Sequence, residues 1–479
     1  MKEKVISWPD QKKAGMRKKG EAIRLSGNIV PSSFLCDWAK GKKYFIKTYG
    51  CQANVRDSEI LTAYFNLLNM ELADNEASAD IIIFNTCAIR EHAETRIRGE
   101  LGRLKPLSRQ NPDLIIGLCG CMAHESEPLK DLVATNKHLN LVFGTHNIHE
   151  IYSLIENCVK EKARVFNVTS TVDTVVEEYP EARFDTYKAF VNIMYGCDKF
   201  CTYCIVPYTR GQQRSRKVEC VVEEVKRLKE KGFMEVTLLG QNVNAYGLDF
   251  DNQEYDFAYL LEQVALTGIP RIRFTSPHPA DFKENVFKVM AKYKNIMPAL
   301  HLPMQSGSTN VLNKMNRRYS REEYINLVKM LRSYVSDVRL TTDIIVAFPT
   351  ETEEDFLETL SIVKELHFAS AYTFIYSPRV GTPASRMVDN LTPEIKQDRF
   401  NRLAKVVDEE ATIDGKKCVN SIVEVLFDSI DDVIGFIKGY DEYNRLVHVK
   451  ADPSLIGKIK KVKIIESHTY SYIGELIEK

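Results

Sequence analysis

The 479-residue chain carries 65 Lys+Arg against 65 Asp+Glu, so its formal net charge is zero and no global field announces a polyanionic partner. Any nucleic-acid site must be a local basic patch. No run approaches 18 consecutive apolar residues and the basic, polar 1–20 stretch lacks an apolar core, which argues against a membrane span and an export signal.

Residues 1–41 lack periodicity and carry Lys12, Lys13, Arg17, Lys18, Lys19 and Arg24, which reads as a flexible, solvated tail. Over 42–160, strands are predicted at 44–48, 81–85, 114–118 and 140–143, with helices at 57–68 and 90–104 between them. That alternation implies a parallel sheet covered by helices. The acidic, irregular 161–184 stretch, with Pro180, reads as a linker.

A second β/α series spans 185–415, with strands predicted at 189–195, 235–239, 271–275, 299–302, 339–346 and 371–376. Helices at 219–231 and 321–334 fit between them. Six such units predict a partial (β/α)6 TIM-like barrel, open at the side, with its chemistry at the strand C-termini. Thr392, Pro393 and Gly415 mark the start and stop of a further helix. Short strands at 422–427, 433–440, 446–449 and 460–467, punctuated by Gly435, Gly439 and Gly457, make 416–479 a small β-barrel. The predicted fold class is therefore α/β multidomain.

Eleven cysteines in a chain without an export signal argue for metal or catalytic chemistry rather than disulfides. Cys197-Asp-Lys-Phe-Cys201-Thr-Tyr-Cys204 places three thiolates just past the first barrel strand. That spacing suits three irons of a four-iron cluster, leaving one iron without a protein ligand. A zinc knuckle is the alternative, but no second Cys or Cys/His pair follows. Cys51, Cys87 and Cys121 each follow a predicted strand of the first domain, at the edge where parallel sheets bind ligands. They form a second candidate triad. Cys119, two residues earlier, reads as a core residue, and Cys36, Cys158, Cys220 and Cys418 lack partners in pattern.

The Cys-x3-Cys-x2-Cys motif, with Tyr203 before its last cysteine, resembles the radical S-adenosylmethionine (SAM) superfamily. Further motifs extend the likeness: Lys47-Thr-Tyr-Gly-Cys51-Gln, Asn85-Thr-Cys87-Ala-Ile-Arg90-Glu, Val142-Phe-Gly144, Cys204-Ile-Val-Pro-Tyr-Thr-Arg210-Gly211, Arg273-Phe-Thr-Ser-Pro-His278-Pro and Leu302-Pro-Met-Gln-Ser-Gly307-Ser. From about residue 42 the chain resembles the methylthiotransferases, and its terminal module resembles the TRAM domain, an RNA-binding barrel. The resemblance implies two [4Fe-4S] clusters, one on each triad, and S-adenosylmethionine as cofactor. It implies that Tyr203, Gln213, Ser215, Arg216, Gln241 and Gln305 contact S-adenosylmethionine. The implied reaction is methylthiolation of C2 of an N6-isopentenyladenosine in a tRNA anticodon stem-loop. One S-adenosylmethionine would methylate a sulfur on the first-domain cluster, and a second would give the radical that abstracts the C2 hydrogen. Gln213 departs from the family pattern, which has Glu there.

A cytoplasmic monomer is expected, with no membrane partner; the electron donor and sulfur source are not legible. Two rivals stand beside this reading. One is a sister methylthiotransferase acting on threonylcarbamoyl-adenosine tRNA or on a ribosomal-protein aspartate. The other is a non-catalytic metal- and RNA-binding scaffold.

Overall fold

The computed structural model describes residues 2–17, 22–88, 93–251 and 255–477. The first domain is built on a seven-stranded parallel sheet. Its order is Lys2–Ser7, Ala163–Asn167, Leu141–Phe143, Ile115–Gly120, Ile81–Thr86, Lys43–Tyr49, Glu71–Leu72. Every residue of Ile81–Thr86 and Ile115–Gly120 is buried, as befits central strands packed with helices on both faces. Helices Gln52–Leu67 and Ile151–Glu161 cover one face, and Ala93–Gln110 and Ser126–Thr135 the other.

Two expectations need correction. Residues 1–41 are not simply a tail. Lys2–Ser7 adds a strand to the sheet, Ile23–Ser26 pairs in parallel with Thr174–Glu178, and Ser33–Ala39 is a helix capped by the Ser32 side chain. Of the basic residues assigned to the tail, Lys18 and Lys19 lie outside the described residues. The expected linker likewise supplies Ala163–Asn167 and Thr174–Glu178. Both segments gain order from strand partners more than 140 positions away, which local patterning does not reveal. The helix expected at 90–104 is seen from Ala93 to Gln110; positions 90–92 are also outside the described residues.

The second domain holds six parallel strands in two groups of three. One group is Lys188–Asn192, Glu235–Leu239 and Arg271–Phe274; the other is Ala299–His301, Arg339–Val346 and Ser370–Ile375. Their outer faces pack on the surrounding helices in one continuous core. A short antiparallel pair, Met194–Tyr195 with Arg214–Ser215, closes the cysteine loop at its base. The helix predicted to stop at Gly415 runs on as Pro393–Cys418, because Gly415 lies inside it against Ser467 and His468.

The terminal module is a closed five-stranded barrel, Ile422–Ile430, Phe436–Asp441, Leu446–Lys450, Ser471–Leu476 and Ile459–Ser467. The unpredicted fifth strand, Ser471–Leu476, joins Leu446–Lys450 to Ile459–Ser467. The module packs on the N-terminal ends of the second-domain strands. There Arg271 Nη1 donates to Tyr440 O at 2.7 Å, and Arg273 Nη1 to Asn444 Oδ1 at 2.8 Å.

Buried charge joins the first domain to the second. Glu224 accepts from Arg216 Nη1 at 2.7 Å and Arg183 Nη2 at 2.6 Å, with Arg56 Nη2 3.6 Å away. Arg183 Nη1 also reaches Glu59 Oε2 at 3.3 Å. Arg56 and Glu59 stand on the first-domain helix, whereas Arg216 and Glu224 belong to the second domain.

Candidate active site between two cysteine triads

Three adjacent parallel strands deliver the first triad. Cys51 follows Lys43–Tyr49, Cys87 follows Ile81–Thr86, and Cys121 follows Ile115–Gly120. Neighbouring strands lie about 4.8 Å apart, so their C-terminal ends cluster although the cysteines are distant in sequence. The tight approach needs Gly50: a Cβ there, at φ 152°, would stand 2.8 Å from Cys87 Cβ. The Cys87 side chain and, secondarily, Arg210 pull the Cys51 thiol down to about 5. Burial pushes the Cys121 thiol up. Cys119 is buried inside its strand and its thiol is likewise raised by burial, in keeping with a core role.

Arg210 comes from the second domain and enters this triad. Its Nε donates to Cys121 Sγ at 3.2 Å, and its Nη2 donates to Asp57 Oδ2 at 2.7 Å and Asn54 Oδ1 at 3.4 Å. A cation is thus held beside the thiols by a buried counter-charge.

The second triad sits on the loop between Met194–Tyr195 and helix Val206–Thr209. Cys197 N donates to Gly211 O at 3.1 Å, Thr202 N to Met315 O at 3.0 Å, and Asn316 Nδ2 to Phe200 O at 3.0 Å. Arg317 Nη1 lies 3.5 Å from both Cys201 Sγ and Tyr203 Oη. Burial raises the Cys197 thiol to about 11 and lifts Cys204 further. Gly196 fixes the loop's start at φ 74°, where a Cβ would fall 2.0 Å from Gln212 O. Gly196→Ala is therefore expected to displace the loop. Anaerobic iron analysis should show loss of about half the iron bound by the wild type, if each triad holds an equal share.

The remaining expected residues divide. Tyr203 packs with Val311, Met315, Phe348 and Tyr376 beside the loop. Gln241 Oε1 accepts from Gly196 N at 2.5 Å, and Gln305 sits at φ 70° with its backbone tied to Asp343 and Ile345. Ser215 Oγ donates to Asp249 Oδ1 at 2.5 Å, so it holds a neighbouring loop. Arg216 lies in the interdomain network, its guanidinium bonded to Glu224, Asn192 O and Glu177 O. Both Nη atoms are bonded there while Nε has no hydrogen-bond partner, so the structure gives this side chain a place in the interdomain seam.

Gln213 Nε2 donates to Ala245 O at 2.6 Å and lies 3.5 Å from Asp249 Oδ1. Gln213→Glu would set a carboxylate against that carbonyl and beside Asp249. We expect a loss of about 1–3 kcal/mol near neutral pH. The new carboxyl's pKa would be raised, so the loss should shrink as pH falls through it. Melting temperatures at two pH values check this.

Sequence reasoning missed Arg17. Its guanidinium pairs with Asp198 at 2.5 Å, donates to Cys197 O at 3.1 Å, and stacks over Phe200 at 4.4 Å. Only the distant pairing of the N-terminal segment brings it there.

The donor chemistry of both sets is that which iron–sulfur clusters take. Each triad is all-thiol. Among the described residues, no three His, Cys, Asp or Glu side chains close on a point as ligands of one ion do.

Comparisons agree with this architecture. Residues 191–363 match the Radical SAM superfamily, residues 43–144 the Uncharacterized protein family UPF0004, and residues 416–477 the TRAM domain. A solved radical S-adenosylmethionine methyltransferase, TsrM from Kitasatospora setae, superposes with a TM-score of 0.53 at 12% identity. The match covers 72% of this chain and 74% of that one, a likeness of fold. Fold and matches define a radical SAM enzyme, a class that uses S-adenosylmethionine and a [4Fe-4S] cluster.

The tRNA-2-methylthio-N(6)-dimethylallyladenosine synthase of Bacillus cytotoxicus is 47% identical, over 100% of this chain and 94% of the relative. Its namesake in Geobacillus kaustophilus is 46% identical, over 99% of this chain and 90% of the relative. The chain belongs to the family of tRNA-2-methylthio-N(6)-dimethylallyladenosine synthases.

Proposed function

We propose that this enzyme methylthiolates C2 of an N6-dimethylallyladenosine in a tRNA anticodon loop, using one [4Fe-4S] cluster on Cys197, Cys201 and Cys204 and a second on Cys51, Cys87 and Cys121. The observation that carries the reading is Arg210, a second-domain residue six positions after Cys204 whose guanidinium donates to first-domain Cys121. One short loop therefore ties the two triads together.

The bound clusters and S-adenosylmethionine supply a hydrogen-atom abstractor for an unactivated aromatic C–H and a methylated sulfur to replace that hydrogen. The protein's own residues do the positioning. The cysteines hold the metal, Arg317 and Arg210 set positive charge beside the thiolates, and Tyr203 forms an aromatic wall next to the loop. Reaching C2 requires the nucleotide to be splayed from its loop. A cytoplasmic location is part of this reading, supported by the tRNA modification that the relatives' names describe.

The test uses anaerobically reconstituted protein and an anticodon hairpin carrying N6-dimethylallyladenosine. About eight irons per chain are expected if each site holds a four-iron cluster. Nucleoside mass spectrometry should then show the gain of a methylthio group. A hairpin carrying threonylcarbamoyl-adenosine serves as the sister substrate, and preference for it would overturn the assignment. A colourless zinc protein forming no 5′-deoxyadenosine would point to the scaffold instead.

A further inference from the structure

The inner face of the open barrel carries two aromatic rings that nothing so far described uses. In Arg339–Val346, the alternating residues Leu340, Ile344 and Val346 enter the helix-facing core, so Asp343 and Ile345 lie on the inner face. Parallel pairing sets Asp343 beside Tyr372 and Ile345 beside Phe374. Tyr372 is 63% exposed and Phe374 51% exposed. Most large apolar side chains of such a domain are covered, and adjacent uncovered rings mark a surface that receives something.

What surrounds them indicates the visitor. Ile345 packs into the cluster that contains Tyr203, so the upper end of this wall adjoins the Cys197–Cys204 loop. Phe374 stands two residues, about 7 Å, nearer that end than Tyr372. At the lower level His301 meets Tyr372 edge-on, with centroids 5.9 Å apart. His301 is fixed by Thr341 Oγ1 at 3.0 Å on Nδ1 and by Asp343 Oδ2 at 3.3 Å on Nε2. The wall therefore combines flat apolar faces with a rigid polar floor, within reach of the radical-forming loop. An adenine bearing a branched hydrocarbon on N6 has matching parts: a stacking face, an apolar tail, and one remaining N6–H.

We propose that Tyr372 and Phe374 are the residues that select the alkylated adenine, with the purine lying on Phe374 and the dimethylallyl group on Tyr372. This rests on the functional reading above and deepens it. Aromatic–base stacking is worth about 1–3 kcal/mol, a factor of roughly five to 150. Both are positioning residues rather than groups that exchange bonds with the substrate.

The test compares two anticodon hairpins that differ only in whether the adenosine carries the dimethylallyl group. Binding is read by fluorescence anisotropy, and kcat and KM by product formation on the alkylated hairpin. For Tyr372→Ala we expect weaker binding of the alkylated hairpin, about tenfold, with the plain hairpin unchanged and KM rising more than kcat falls. Phe374→Ala should weaken both hairpins. Tyr372→Phe and Phe374→Tyr, which keep the rings, should restore binding. Melting curves and iron content establish that the variants are folded. If the wild type methylthiolates the alkylated hairpin and both alanine variants match it in binding and KM, this proposal is overturned alone. Equal weakening of both hairpins by Tyr372→Ala also overturns it. If the wild type modifies neither hairpin, the functional reading fails and takes this proposal with it.

Discussion

Replacing Cys51, Cys87 and Cys121 together by alanine is expected to abolish methylthio transfer while leaving 5′-deoxyadenosine formation in place. The two triads stand on different domains, each anchored by its own backbone. The first depends on three sheet C-termini, the second on a loop closed by Met194–Tyr195 and Arg214–Ser215. Removing the first set of thiols leaves the second loop's hydrogen bonds to Gly211, Met315 and Asn316 untouched. Iron should fall from about eight to about four per chain. The converse set, Cys197, Cys201 and Cys204 to alanine, should retain about four irons and lose 5′-deoxyadenosine formation. If the first variant lost all its iron, or still made product, the division of labour between the triads would be wrong.

The largest effect on stability should come from Glu224→Ala. It removes the carboxylate shared by Arg216, Arg183 and Arg56, leaving three buried guanidinium groups short of counter-charge. Breaking a buried pair in this way costs about 3–5 kcal/mol, which chemical denaturation would register. The pH dependence follows from the same contacts. Burial alone would raise the Glu224 carboxyl, but Arg216, Arg183 and Arg56 outweigh it and hold it well below the usual carboxylate range. A group with a depressed folded pKa stabilises above its unfolded value of about 4.3 and loses that contribution as pH falls toward the folded value. The wild type should therefore lose stability in acid below about pH 4.3, and Glu224→Ala should show a smaller loss there.

The cysteines of the candidate site stand out in the sequence because spacing and strand-end placement are local properties. Three thiols in eight residues, and three thiols each just past an apolar run, need no knowledge of tertiary contacts. The strands at 235–239 and 339–346 and the helix at 321–334 agree with the sequence reading to the residue, the first as a short, wholly buried run, the second by its alternation and the third by its Ser320 cap. The first-domain helix was read as starting at 57 but starts at Gln52, because its opening turns are polar yet buried: Arg56 and Asp57 meet Glu224 and Arg210 of the second domain, Glu59 meets Arg183, and Asn54 meets Asn85. Hydrophobic patterning does not register a face that is buried through ion pairs. The place of Arg216 in the interdomain seam is hidden from the sequence for the same reason. A motif arginine near the cysteines reads as a ligand contact until Glu224 and Glu177 are brought to it by folding. Arg17 and the N-terminal strands escaped because their partners lie more than 140 positions away.

The charged seam between the first two domains has a consequence for turnover. Its ion pairs are shut off from solvent and mutually dependent, so the halves cannot hinge apart without stripping several charges of their partners at once. The gap between the thiol sets is then a fixed gauge. Accommodation during the catalytic cycle falls to the RNA, which must deform to present its base, so nucleotides that unstack easily would be processed fastest.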